Sequence, residues 1–118
     1  MPRVPGTRVM RERATVWIAL AGKQRPAVVI EVRDDFVRVA YGTSQAPAAD
    51  VRAEAVHVQT RAGRKFPLSA LTWFVGANTA WEPPSGLAPG AGDCARDLFT
   101  AIQLLVEEHD AQVASDSP

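Results

Sequence analysis

The sequence predicts a small, mainly β domain that ends in one α-helix, and three observations lead to this prediction. Short apolar and β-branched segments recur throughout residues 14–82. Tight turns separate these segments at short intervals, which favours a small barrel or sandwich. One stretch with helical periodicity follows, at residues 93–110.

The first three strand candidates are joined by tight turns and cover residues 15–20, 27–32 and 36–41. The first and third alternate between apolar and polar residues, as strands with one face in a core do. The second is almost continuously apolar and β-branched, which is typical of a strand buried on both faces.

The second half of the β region is less regular. Residues 45–54 predict a loop, and further strand candidates lie at residues 55–60 and 71–75. A glycine-containing turn is expected at residues 61–65. Residues 83–92 are rich in proline and glycine, which predicts a linker that no regular element crosses.

Asp93 is expected to cap a helix that runs over residues 93–110. One face of this helix carries an apolar stripe with a cysteine and a histidine: Cys94, Leu98, Ile102, Leu105, Val106 and His109. Packing into the core of the same chain is the favoured interpretation of the stripe, and a dimer seam is the alternative. The domain then spans residues 14–110, between an irregular arm (1–13) and a disordered tail (111–118).

Composition indicates one small cytoplasmic domain. The chain has 118 residues and no apolar run long enough for a membrane span, so no membrane contact is expected. A secretory signal requires an apolar segment after its basic N-terminus. No such segment follows the basic residues of this sequence, so no secretory signal is expected. Cys94 is the only cysteine, which excludes an internal disulfide and fits a reducing compartment.

Charge is distributed unevenly although the net charge is zero. Residues 1–65 carry twelve Lys and Arg against six Asp and Glu, and residues 66–118 carry one against seven. A basic front half attracts polyanions. The alternative is an ordinary solvated surface with an acidic end, and zero net charge argues against strong nonspecific binding of nucleic acid.

Two of the strand candidates end in groups that suit a phosphate. Arg25 precedes the second, and Thr43 and Ser44 follow the third. If these strands pair antiparallel, the start of one lies beside the end of the other, and the guanidinium meets the two hydroxyls. The alternative is a solvated arginine before Pro26 and two turn residues that bond the local backbone.

Residues 25–30 (Arg-Pro-Ala-Val-Val-Ile) and 37–45 resemble, in this order and spacing, two blocks of the MazF/PemK-like toxins of bacterial toxin–antitoxin systems. Residues 63–69 are similar to the Lys-rich segment before the last strand of that family. The resemblance covers residues 14–82. It implies an SH3-like (CcdB/MazF-like) antiparallel β-barrel, usually a homodimer, that cleaves single-stranded RNA without a metal or other cofactor and is neutralised by an antitoxin protein.

The resemblance also implies the site residues. Arg25 and Thr43 are the expected catalytic residues, with Ser44 as the neighbouring hydroxyl. Arg25 mainly stabilises the charge that develops on the phosphate when the 2′-hydroxyl attacks it. The other residues expected to contact RNA are Lys23, Gln24, Gln45, Arg61, Arg64 and Lys65.

Two further functions are compatible with the sequence. One is a non-catalytic protein-interaction module on the same barrel, such as an inhibitor encoded by a mobile element, because the acidic second half offers a surface to a basic partner. The other is a nucleic-acid-binding barrel without cleavage. Trp17, Trp73 and Trp81 either stack on bases or belong to the core or an interface.

Overall fold

The computed structural model describes residues 10–116, so most of the predicted arm and the last two residues of the predicted tail lie outside the described range. Within that range the elements are, in order, β1 (Ala14–Leu20), β2 (Lys23–Arg33), β3 (Phe36–Tyr41), β4 (Ala53–Val56), α1 (Arg61–Lys65), β5 (Thr72–Val75), β6 (Thr79–Glu82), a 3₁₀ turn (Pro84–Gly86), β7 (Leu87–Asp93) and α2 (Arg96–Asp116). The mainly β class with a C-terminal helix is therefore confirmed.

The strands form two antiparallel sheets. One has five strands in the order β6-β3-β2-β1-β7, and β4 and β5 form the other. Ala21 and Gly22 join β1 to β2 with φ values of 51° and 77°, which suits a two-residue hairpin turn. The two sheets meet where Thr43, just after β3, pairs with Trp73 of β5. The described strands thus form two bridged sheets, and closure of these sheets into the expected small barrel stays a prediction.

The core has two parts, one on each face of β2. Val28 and Ile30 pack with α2 and the second sheet, in a cluster that includes Phe66 and Phe74. Ala27 and Val29 pack on the other face with residues of β1 and β3. The predicted burial of β2 on both faces is therefore confirmed for residues 27–30. It is wrong for Val32, which is 45% exposed near the end of the hairpin.

Helix α2 buries the predicted stripe in the core of its own chain. Its buried residues are Leu98, Phe99, Ile102, Leu105 and Val106. The helix starts later than predicted because Asp93 ends β7, and it continues to Asp116 through most of the predicted tail. No helix within residues 10–116 combines the length and the apolar character needed to cross a membrane.

The linker prediction for residues 83–92 is wrong. Residues 87–93 form β7, which pairs with β1 at the edge of the large sheet, with an irregularity between Ala14 and Val16. An edge strand needs hydrogen bonds on one side only, so it accepts Pro89 and the nearby glycines.

Three smaller differences concern residues 53–82. The turn predicted at residues 61–65 is the short helix α1, which Thr60 caps by accepting a hydrogen bond from the Gly63 N–H at 3.1 Å. The strand predicted at residues 55–60 is β4, which lies slightly earlier in the chain. Strand β6 was not predicted, because its residues 79–82 carry no clear alternation.

Candidate functional site

The start of β2 and the residue that follows the end of β3 lie side by side. The two strands pair antiparallel with Ala27 opposite Tyr41, and the Gly42 N–H donates to the Pro26 carbonyl at 2.8 Å. Continuing this register by two residues places Arg25 opposite Thr43. The structure therefore places Arg25 and Thr43 on neighbouring strands, and both residues line the same grooves.

The second sheet holds Thr43 in place. The Thr43 N–H donates to the Trp73 carbonyl at 2.9 Å, and the Trp73 N–H donates back at 2.7 Å. Gly42 permits this approach, because a Cβ at this position would overlap the Thr72 side chain. Thr43 Oγ1 accepts a hydrogen bond from the Gln45 N–H at 3.2 Å, which leaves the hydroxyl proton available to a ligand.

A groove of about 160 Å³, here named the Arg25 groove, lies on one side of this pair. Its polar lining consists of Lys23, Gln24, Arg25, Thr43, Ser44, Ser69 and Thr72. Among the described residues, no Asp, Glu or His lines it, so its positive charge is unopposed. The Arg25 side chain is half-buried and makes no ion pair or hydrogen bond within residues 10–116. A cation with this environment suits an anionic ligand.

A second groove, here named the Tyr41 groove, begins on the other side of the same pair. Its volume is about 570 Å³, and it shares Arg25 and Thr43 with the Arg25 groove. The rest of its lining consists of Leu20, Ala21, Tyr41, Gln45, Ala46, Pro47, Val75 and Asn78. Gln45, a predicted RNA contact, therefore lies in the Tyr41 groove and not in the Arg25 groove.

The basic cluster predicted to contact RNA lies elsewhere. Arg61 and Lys65 line a separate cavity of about 750 Å³ between α1 and the start of α2, where Arg13 and Arg96 add two more cations. Arg64 lines neither of the two grooves, and its side chain donates to the Gln59 carbonyl at 3.2 Å. The separation arises because residues 61–65 form a helix that packs against β7.

The three tryptophans lie in three different surroundings. Trp17 lines the Arg25 groove, where its indole offers a surface for a flat ring. Trp73 forms the bridge to Thr43 and lies outside both groove linings. Trp81 is covered by Arg33, whose guanidinium carbon lies 5.3 Å from the ring centroid.

Ser69, Tyr41 and Asn78 line the grooves although the sequence did not mark them as site residues. Ser69 and Asn78 flank β5, which reaches the grooves only through the pairing of Trp73 with Thr43. No local pattern reveals that pairing. Tyr41 could have been found, because it directly precedes Gly42 and Thr43 at the end of β3.

Comparison with other proteins does not identify the site. The chain matches no model of a known protein family and no curated protein sequence. Within residues 10–116, no group of three or more His, Cys, Asp or Glu side chains is placed to share a metal ion. The two grooves and the residues that they share are therefore the candidate functional site.

Proposed function

We propose that this chain is a MazF/PemK-like toxin: a cytoplasmic, homodimeric endoribonuclease that cleaves single-stranded RNA without a metal ion and is neutralised by an antitoxin protein. One observation carries the proposal. Arg25, which has no partner within the described residues, lies opposite Thr43 at a groove without an acidic lining residue. This arrangement suits a phosphate, and the resemblance of residues 25–30 and 37–45 to the toxin family narrows the reaction to RNA cleavage.

In the proposed reaction the 2′-hydroxyl oxygen attacks the neighbouring phosphorus, and the bond from phosphorus to the next 5′-oxygen breaks. The products are a 2′,3′-cyclic phosphate and a free 5′-hydroxyl. The proton of the attacking hydroxyl passes to solvent, and the leaving oxygen takes a proton from solvent. Solvent has this role because no carboxylate or imidazole of the described residues lines the Arg25 groove.

Arg25 has the main catalytic role, because the phosphate gains negative charge as the fifth oxygen approaches. A guanidinium donates two parallel hydrogen bonds to phosphate oxygens. Strand β2 fixes the backbone of Arg25, and the bound phosphate orders its otherwise unpartnered side chain. The Thr43 hydroxyl donates to the same phosphate, and Ser44 and Lys23 extend the polar lining around it.

Replacing Arg25 with alanine tests this proposal. We expect Arg25→Ala to lower the cleavage rate at least about 100-fold, the cost of losing one preorganised donor to a developing oxyanion. The assay incubates the pure protein with end-labelled single-stranded RNA in EDTA and separates the fragments by electrophoresis. Arg52→Ala is the matched control, because exposed Arg52 pairs with Glu108 and lines neither groove. Thermal unfolding checks that both variants are folded.

The outcomes separate the three candidate functions. Cleavage in EDTA that Arg25→Ala abolishes and Arg52→Ala retains supports the endoribonuclease. RNA binding that weakens with salt, without any cleavage, indicates a nucleic-acid-binding barrel. A protein that neither binds nor cleaves RNA contradicts both, and the protein-interaction module is then the function to pursue.

A further inference from the structure

The cavity between α1 and the start of α2, here named the basic cavity, has a volume of about 750 Å³. Four cationic residues line it: Arg13, Arg61, Lys65 and Arg96. Among the described residues, it shares no lining residue with the Arg25 groove or the Tyr41 groove. Pockets that bind small molecules measure about 300–1,000 Å³, so the basic cavity has the size of a small-molecule site.

The fold brings these four cations together from three separate parts of the chain. Arg61 and Lys65 lie on α1, Arg96 begins α2, and Arg13 precedes β1. The Cys94 N–H donates to the Arg13 carbonyl at 2.6 Å, which joins the start of β1 to the start of α2. Like charges gathered in one place repel each other, and a bound anion removes this repulsion.

The cationic side chains have donors available to a ligand. Arg61, Lys65 and Arg96 make no side-chain hydrogen bond or ion pair within residues 10–116. Arg13 uses only its Nε, which donates to the Cys94 carbonyl at 3.1 Å, so its two terminal amino groups are available. The Arg13 backbone has a φ of 75°, which residues other than glycine rarely adopt, and hydrogen bonds on both sides hold it there.

Two carboxylates also line the basic cavity, and only one of them opposes its positive charge. Asp93 accepts hydrogen bonds at 3.0 and 3.1 Å from Arg11, a residue outside the lining, so its charge is already compensated. Asp97 lies in the first turn of α2, where the positive end of the helix dipole stabilises a carboxylate. Four cations therefore face one carboxylate that makes no ion pair within residues 10–116.

We propose that the basic cavity binds a chain of two or more linked phosphate groups, as found in inorganic polyphosphate and in nucleoside triphosphates. Such a chain carries several negative charges close together, which matches several cations around one cavity. No aromatic side chain of the described residues lines the basic cavity, so it lacks the stacking surface typical of sites for single-stranded nucleic acid. The proposal does not depend on the proposed function, because the basic cavity and the Arg25 groove use different residues.

Isothermal titration calorimetry of the full chain with tripolyphosphate, at constant ionic strength, tests this site. We expect Arg61→Gln and Lys65→Gln each to weaken binding about tenfold, the effect of losing one charged hydrogen bond. Asp97→Asn should strengthen binding, because it removes a carboxylate that repels the phosphates. Arg64→Gln is the matched control, because Arg64 lies on the same helix and does not line the basic cavity. Thermal unfolding checks that every variant is folded.

Further titrations identify which part of the ligand is bound. Orthophosphate should bind more weakly than tripolyphosphate, and equal affinity for the two would overturn the binding of a phosphate chain. A nucleoside triphosphate that binds as tightly as tripolyphosphate supports recognition of the phosphate chain by itself. A nucleoside triphosphate that binds more tightly supports a nucleotide as the source of the chain.

Four results would overturn the proposal. The first is the absence of tripolyphosphate binding, and the second is an equal loss in Arg64→Gln and Arg61→Gln, which indicates general surface charge. The third is binding that Arg25→Ala abolishes and Arg61→Gln retains, which places the anion in the Arg25 groove. The fourth is displacement of tripolyphosphate by short single-stranded RNA at the same concentration of phosphate groups. In each case the cleavage assay with Arg25→Ala still decides the proposed function.

Discussion

At the scale of single residues, Cys94 shows how burial changes side-chain chemistry. The thiol lies in the larger core cluster with Leu98 and Phe66. Removal from water raises the pKa of the Cys94 thiol to about 12, and nearby Arg13 offsets only part of this effect. The reactive species of cysteine is the thiolate, so a thiol with this pKa stays protonated and inert near neutral pH.

We expect Cys94 to resist alkylation in the folded protein and to react rapidly once the chain unfolds. The measurement compares labelling by a thiol reagent at pH 8 in buffer and in concentrated urea, with a small free thiol as reference. Native labelling at the rate of the free thiol would contradict the burial of this group.

Individual residues also show which parts of the site could be predicted from the sequence. Arg25 and Thr43 were predictable because they flank two consecutive strands, where a hairpin register alone brings them together. Ser69 and Asn78 were not, because Ser69 precedes β5, which pairs with the end of β3, and Asn78 precedes β6, which was not predicted. Arg61 and Lys65 were expected to contact RNA as members of a basic cluster, and charge does not reveal on which face of the fold a residue lies.

At the scale of elements, one ion pair ties the large sheet to α2. Arg38 of β3 donates two hydrogen bonds to the Asp110 carboxylate, at 2.7 and 2.9 Å, and also donates to Thr79 at 3.0 Å. The Arg38 side chain is only 16% exposed, whereas that of Asp110 is 44% exposed. The hydrogen bonds from Arg38 hold the pKa of the Asp110 carboxyl below its ordinary value.

This shift makes stability depend on pH. The pKa of Asp110 is lower in the folded than in the unfolded chain, so the unfolded chain binds more protons as acid is added. The stabilisation is fully present above the unfolded value of about 3.9 and is lost as the pH falls through the folded value. We expect Asp110→Asn to lower the free energy of unfolding by about 1 kcal/mol at pH 7, a figure reduced for the exposure of Asp110.

Urea denaturation of the wild type and the variant at pH 7 and pH 3 measures this effect. The difference between the two proteins should shrink at pH 3. Glu107→Gln serves as the control, because Glu107 is an exposed carboxylate on the same helix. An equal loss at both pH values would mean that Asp110→Asn acts through packing and not through its charge.

Elements with a strong periodic pattern were predictable, and those without one were not. Residues 27–30 and the stripe of α2 are buried as their patterns indicate, because each must remove a continuous apolar surface from water. Strand β7 has the composition of a loop and owes its strand geometry to the neighbouring edge of β1. Pairing with a neighbouring strand determines the conformation of such a segment, and the segment's own residues do not predict that conformation.

At the scale of the whole molecule, the two grooves exist because two sheets meet. Strands β1, β2 and β3 are consecutive hairpins, so their contacts are local in sequence. The pairing of Thr43 with Trp73 closes a much longer segment, which includes β4 and α1. Contacts between residues close in sequence form at a smaller cost in chain entropy than contacts between residues far apart in sequence.

We therefore expect the bridge between the sheets to open more readily than the centre of the large sheet. Native-state hydrogen exchange, followed by NMR, should show lower protection for the Thr43 and Trp73 amides than for those of residues 27–30. Equal protection at all these amides would indicate that the two sheets open as one unit.

The pairing of Thr43 with Trp73 also determines the order in which the site forms while the chain is synthesised. Chains fold from the N-terminus as they are made, and β1, β2 and β3 are complete at Tyr41. Arg25 is present in this early hairpin pair, but Thr43 gains its fixed position only when β5 has been made and has paired with it. A nascent chain that stops before Val75 therefore carries the arginine without the groove, and both halves of the site are present only once β5 has been made.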